Sequence, residues 1–144
     1  MKFKSRKDIF FQLIIFGLSG IFLANMVFRI FTNGIDNYEF NWTDILIFLV
    51  IGLLFWFHFG TEYELTQNEL KYKSGPIRGK IEIQRIKEII KGKSLWVGLK
   101  PATARNGLII KYDQYEEIYI SPNNNNSFVK KILELNDKII ITTE

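Results

Sequence analysis

Apolar positions come in long unbroken runs up to about residue 60 and alternate with polar ones beyond it. One run, IFFQLIIFGLSGIFLANMVFRIF, covers Ile9 to Phe31, and a second, WTDILIFLVIGLLFWFHFG, covers Trp42 to Gly60. As a helix the first reaches ~34 Å, enough to cross a hydrocarbon layer of ~30 Å with some tilt. The second, uncharged from Ile45 onward, is near the minimum spanning length. Two other readings compete, a signal peptide and a pair of buried core helices. A signal peptide would end its apolar stretch at a small-x-small site after roughly 7–15 residues, yet this run continues past Ala24 through Met26-Val27-Phe28. Two adjacent core helices would leave a chain of 144 residues with little polar covering. The pattern predicts a transmembrane hairpin, with spans at about 9–31 and 43–60 and a basic N-terminal tail.

Charge orients it. Lys2, Lys4, Arg6 and Lys7 precede the first span, while the connection from Thr32 to Thr43 has Asp36 and Glu39 but no Lys or Arg. The positive-inside rule then puts both termini in the cytoplasm. Tyr38 and Trp42 on one side, with Trp56 and His58 on the other, fit interfacial belts, and Arg29 is expected to snorkel to headgroups. Gln12, Ser19 and Asn25 are the polar uncharged residues of the first span. Gly20 and Ala24 form a small-xxx-small pair, with Gly52 as a facing residue and Asn25 hydrogen-bonded across to the second helix.

From Thr61 the period falls to two. Tyr63 and Leu65, then Leu70 and Tyr72, share a face; Ser74-Gly75-Pro76 turns, and Ile81 and Ile83 continue inward. Ile86, Ile89 and Ile90 precede a break at Gly92, and Leu108, Ile110 and Tyr112 lead through Asp113-Gln114 to Ile118 and Ile120. Phe128, Ile132 and Leu135, with Val129 and Leu133 beside them, give one amphipathic helix over 127–135, capped by Asn125 or Asn126. Short antiparallel strands closed by one terminal helix suggest a small barrel or sandwich.

The helical hairpin followed by Tyr63-x-Leu65, Leu70-x-Tyr72, Gly75, Ile86 and Ile89, Pro101-Ala102-x-Ala104, Leu108-x-Ile110-x-Tyr112, Ile120-Ser121-Pro122, Phe128 and Leu133 resembles the bacterial pleckstrin-homology-like family of the YyaB type, which includes the sublancin immunity protein. The resemblance runs from Thr61 to Asn136. It implies a split antiparallel barrel closed by the 127–135 helix, and immunity-like protection against an antimicrobial peptide as one family role. It implies no reaction. Asn106-Gly107 departs from the family, which tends to carry a charge before the strand leucine.

Composition excludes much. There is no cysteine, so thiolate chemistry and disulfides are absent. Residues 61–144 hold 14 Lys/Arg against 11 Asp/Glu, a net of +3, too weak for a nucleic-acid face. His58 has no second histidine to share a metal. GPIRGK at 75–80 lacks phosphate-loop spacing and reads as a hairpin turn. Glu116 and Glu117 point to opposite strand faces; Ser121 before Pro122 lacks a histidine partner; Glu62 and Glu64 share a face and are a weak divalent-ion candidate. No enzyme, no cofactor and no metal are expected.

The stretch KGKSLWVGLKPATAR from Lys91 to Arg105 sets Trp96 and Leu99 among Lys91, Lys93, Lys100 and Arg105. Either Trp96 and Leu99 fold back onto the barrel mouth or an added strand, or the loop touches the inner leaflet with its bases on anionic headgroups. The expectation is an α+β membrane protein: a two-helix hairpin within residues 1–60, then a cytoplasmic PH-like split barrel over 61–144. It is read as a multi-pass protein of the bacterial inner membrane that binds or interacts. Its partners are the lipid bilayer and either anionic headgroups or another membrane protein. The alternative role is a lipid-responsive accessory subunit of a membrane enzyme or transporter.

Overall fold

The computed structural model describes residues 1–34, 40–95 and 97–143. In chain order it comprises β1 (Lys2–Lys4), α1 (Ile9–Asn33), α2 (Trp42–Phe59), β2 (Glu62–Leu65), β3 (Glu69–Ser74), β4 (Ile77–Glu82), a 3-10 turn at Ile83–Arg85, β5 (Ile86–Lys91), β6 (Leu108–Tyr112), β7 (Glu116–Ile120), α3 (Asn125–Leu135) and β8 (Ile140–Thr143). Tyr38, Asp36 and Glu39, assigned above to the outer belt and loop, lie outside the described residues.

Both hairpin helices are long and apolar enough to cross a membrane. They meet along a seam of heptad spacing. Ile15, Ser19, Phe22, Met26 and Arg29 of α1 are its buried or half-buried residues, and Asp44, Ile47, Ile51, Leu54 and His58 are those of α2. Phe16 packs edge-on to Phe55 and His58, at 5.6 and 5.8 Å between ring centres. The outward faces stay bare: Leu13, Ile21, Phe28, Leu46 and Leu49 are 63–67% exposed.

Three expectations for the hairpin change. Gly20 and Gly52 do not bring the helices together, since a Cβ on either would meet nothing within 4 Å; the bulky seam residues set the spacing instead. Ala24 and Asn25 are exposed, outside the seam. Arg29 does not snorkel but pairs with the fully buried Asp44 at 2.7 Å. Asp44 also closes a capping box at the start of α2, accepting from the Asn41 N–H at 3.0 Å.

The strands form two four-stranded sheets, β1-β2-β3-β4 and β7-β6-β5-β8, and no ladder among the described residues closes them into a barrel. Their inner faces, with Phe128, Val129 and Ile132 of α3, make one core that includes Tyr63, Leu70, Ile89, Ile110 and Ile120. Asn124, one residue before the expected caps, accepts from the Ser127 N–H at 3.0 Å and starts α3 earlier than predicted. That helix is not the last element: the β-branched run Ile139–Thr143 continues to β8, which runs parallel to β5, so this sheet is mixed rather than antiparallel.

The larger difference is at the N-terminus. Residues 2–4 are no free tail; they pair antiparallel with β2, Phe3 opposite Tyr63. Phe3 is 5% exposed and meets Phe128 edge-on at 5.1 Å. A boundary at residue 60 therefore divides a unit whose first strand precedes the helices.

Candidate membrane-proximal site

Both helix roots are built into the domain. Asp8 follows β1 and caps α1, its Oδ1 accepting from the Phe10 N–H at 3.3 Å. Its Oδ2 accepts from Arg105 Nε at 2.8 Å, and the Arg105 guanidinium lies 4.8 Å from the Phe10 ring centre. The hydrogen bond from Arg105 holds the Asp8 carboxyl below its usual range. The Asp8 N–H donates to Thr103 O at 3.2 Å. Arg6 donates to the carbonyls of Arg105 and Asn106, and Lys7 sits 4.2 Å over the Phe59 ring. At the other root, Thr61 donates to Phe57 O at 2.7 Å and meets the Ser74 hydroxyl at 2.9 Å. The β3–β4 turn lies against the end of α2: a Cβ on Gly75, at φ 54°, would be 3.2 Å from the Phe57 ring.

Beneath the roots is a buried cluster of hydroxyls from Ser5, Tyr63, Thr103 and Ser121, none more than 7% exposed. The Tyr63 hydroxyl donates to Pro101 O at 2.6 Å and accepts from the Ser121 N–H at 3.0 Å. Ser5 Oγ is 2.9 Å from both Ser121 Oγ and Thr103 Oγ1. Burial pushes the Tyr63 phenol up. On each side of the Ser5–Pro122 bridge, main-chain hydrogen bonds (Arg6 N–H to Ser121 O, 2.7 Å; Asn123 N–H to Lys4 O, 2.9 Å) tie the end of β1 to the chain after β7. Ser121 is thus one of four hydroxyls binding the N-terminal strand, the 101–104 loop and β7 into a clasp.

The loop candidates disperse. Leu95 is buried with Ile90, Ala102, Ile109 and Tyr119, covering the outer face of the second sheet. Leu99 bridges to Ile118, its carbonyl accepting from the Tyr119 N–H at 3.0 Å. Trp96 lies outside the described residues. Lys91 donates to Asn126 Oδ1 at 2.8 Å beside α3; Lys93 and Lys100 are exposed. Of the five described candidates, Arg105 is the one that pairs with a helix-root residue, Asp8. Glu62 stands beside Lys4 and Lys73, and Glu64 between Lys2 and Lys71, so neither faces a second acid directly. Among the described residues no group of three or more His, Asp or Glu is placed to hold a metal.

Asp8 was readable as a cap, being the acid just before an apolar run. Ser5 and Thr103 were not readable as partners, because 98 residues separate them.

Residues 61–136 match the family model described as "Bacterial PH domain". The Bacillus subtilis (strain 168) protein described as "Uncharacterized protein YyaB" is 32% identical over 101 residues, covering 69% of each chain. No solved structure matches.

Proposed function

Because the chain belongs to the bacterial PH domain family, we propose that it is a non-catalytic, PH-like interaction module tethered to the inner face of the cell membrane by its helical hairpin. One observation carries this reading: β1 precedes the helices and β2 follows them, yet the two strands are paired. The chain leaves the domain at Asp8 and returns at Thr61, so a spanning hairpin has both roots on one side of the bilayer. The four bases before α1 favour the cytoplasm as that side.

Two roles suit such a module. Immunity-like protection against an antimicrobial peptide follows from the family resemblance. An accessory subunit of a membrane enzyme or transporter is favoured by Asn25. Its side chain makes no hydrogen bond among the described residues and lies exposed on α1. At hydrocarbon depth an unpaired amide is costly, and a partner helix would satisfy it. Expression alone in a peptide-sensitive host separates them. Raised tolerance supports protection, whereas unchanged tolerance with a stoichiometric co-purifying membrane protein, lost in Asn25→Leu, supports the subunit role. Release of the chain from membranes by alkaline carbonate would defeat the tether itself.

A further inference from the structure

A sheet edge presents a row of unpaired main-chain groups, and three of the four edges here are closed or guarded. The outer edge of β1 is tied to the chain after β7, by the Asn123 N–H to Lys4 O and the Arg6 N–H to Ser121 O. That of β7 is covered by Leu99, whose carbonyl accepts from the Tyr119 N–H. β4 carries Arg78, Lys80 and Glu82, charges that oppose edge-to-edge pairing. β8 differs. Among the described strands it pairs with β5 alone, and Ile140-Ile141-Thr142-Thr143 holds neither a charge nor a proline. Ile140 is 65% exposed. The strand also lies beyond the residues matched to the family model. Its outer edge is open to an added strand.

The end of that edge meets a polar cavity. Thr143 lines a volume of about 420 Å³ together with Arg6, Lys91, Gly92, Asn106 and the asparagine run at 123–126, a size within the range of small-ligand sites. None of its described lining residues is acidic. Arg6 donates to the carbonyls of Arg105 and Asn106, and Lys91 to Asn126 Oδ1, so both cations have only neutral partners among the described residues. Asn125 Nδ2 donates to Asn106 O at 2.9 Å, but its Oδ1 is buried with no donor among the described residues. Buried acceptors are seldom left so. The cavity therefore suits a ligand that brings both a negative charge and an N–H. An inorganic anion supplies only the first, whereas an acidic peptide supplies both.

We propose that an extended segment of a partner protein adds to the free edge of β8 as a fifth strand, with an acidic residue seated in this cavity against Arg6 and Lys91. Main-chain hydrogen bonds to Ile140–Thr143 give the affinity, and the charge fixes the register. The inference names the kind of partner for the interaction module proposed above. It rests on that reading, though not on the membrane tether.

The test presents a display library of random octapeptides to the full chain in mild detergent. Selected peptides should alternate β-branched and polar residues and carry Asp or Glu towards one end. Adding the synthetic peptide should slow amide exchange across Ile140–Thr143 and leave β4 unchanged, read by mass spectrometry. N-methylation of alternate peptide amides should abolish binding along one edge of the peptide and spare it along the other, because a strand pairs through one edge at a time. Lys91→Glu should weaken binding about tenfold, the usual worth of a charged hydrogen bond. A lysine in place of the peptide's acid should restore it, which a misfolded variant could not do. A library that enriches nothing overturns the proposal, as do N-methyl peptides that bind alike from both edges, or slowed exchange elsewhere than β8. Enrichment of acids without the strand signature makes the cavity a plain anion site and also overturns it. So does exchange at Ile140–Thr143 that slows with chain concentration alone, which gives the edge to a second copy of the chain. A chain released by alkaline carbonate defeats the tether and leaves this inference standing; a chain that stays in the membrane yet binds no peptide defeats only the inference.

Discussion

Phe3→Ala separates a structural N-terminal strand from a merely topogenic basic tail. Phe3 is 5% exposed, faces Tyr63 across β1–β2 and meets Phe128 edge-on. Truncating a buried Phe to Ala costs about 3–5 kcal/mol, of which the aromatic pair supplies roughly 0.5–1.5. Domains of this size hold only about 5–15 kcal/mol in total. At about 4–8 °C per kcal/mol, the midpoint should drop by roughly 12–40 °C. The assay is a brief protease pulse on the full chain in mild detergent over a temperature series, read as cleavage within the domain. Lys2→Ala, on the same strand but facing out, is the control and should stay within about 0.5 kcal/mol of the parent. Were Phe3→Ala to melt together with Lys2→Ala, β1 would not be part of the folded unit.

Tyr63→Phe removes the hydroxyl that serves both Pro101 O and the Ser121 N–H; the buried groups left unpaired should cost about 1–3 kcal/mol in the same assay, and an unchanged midpoint would refute the clasp. Arg29→Met leaves Asp44 buried without its cation, a change worth about 3–5 kcal/mol. Hydrogen exchange at the start of α2 should accelerate and be largely restored by adding Asp44→Asn; exchange that is no faster in the single variant counts against the pair. Acid should destabilise the domain. Hydrogen bonds hold Asp8 below its ordinary 3.8 and Glu69 and Glu88 below 4.5, chiefly from Arg105, Lys80 and Thr142 respectively. Carboxyls depressed in the folded state contribute stability above their unfolded values and lose it as pH falls through the folded ones. The protease-pulse midpoint should therefore hold down to about pH 5 and fall below about pH 4.5, and a midpoint that rises on acidification would contradict the pairing.

The periods of the chain made much of this fold readable. Apolar runs place α1 and α2 to within two residues at each end, because nothing but a helix satisfies so long an apolar backbone. Alternation places β2, β3, β6 and β7, and the i, i+4, i+7 spacing places α3. β1 escapes, since Lys2-Phe3-Lys4 offers a single apolar residue and its charges read as a topology signal. β8 carries a signal in its β-branched residues, but its short run follows directly on Asn136–Lys138. The small-residue reading of the hairpin fails because Gly20 and Ala24 lie on the face of α1 turned away from α2, whereas Ile15, Ser19, Phe22 and Met26 carry the period that packs. In the candidate site, Asp8 is legible as a cap but its pairing with Arg105 is not.

Sidedness is the most direct test of the account, and the lack of cysteine makes it clean. Single cysteines at Asn33, Lys4 and Lys130 are exposed in turn to a membrane-impermeant maleimide on intact cells and again after permeabilisation. A spanning hairpin rooted in a cytoplasmic domain gives labelling of Asn33→Cys in intact cells, and of Lys4→Cys and Lys130→Cys only once the membrane is opened. Labelling of Lys4 and Lys130 on opposite sides, or of all three only after permeabilisation, would contradict a hairpin that leaves and re-enters one domain at the inner face.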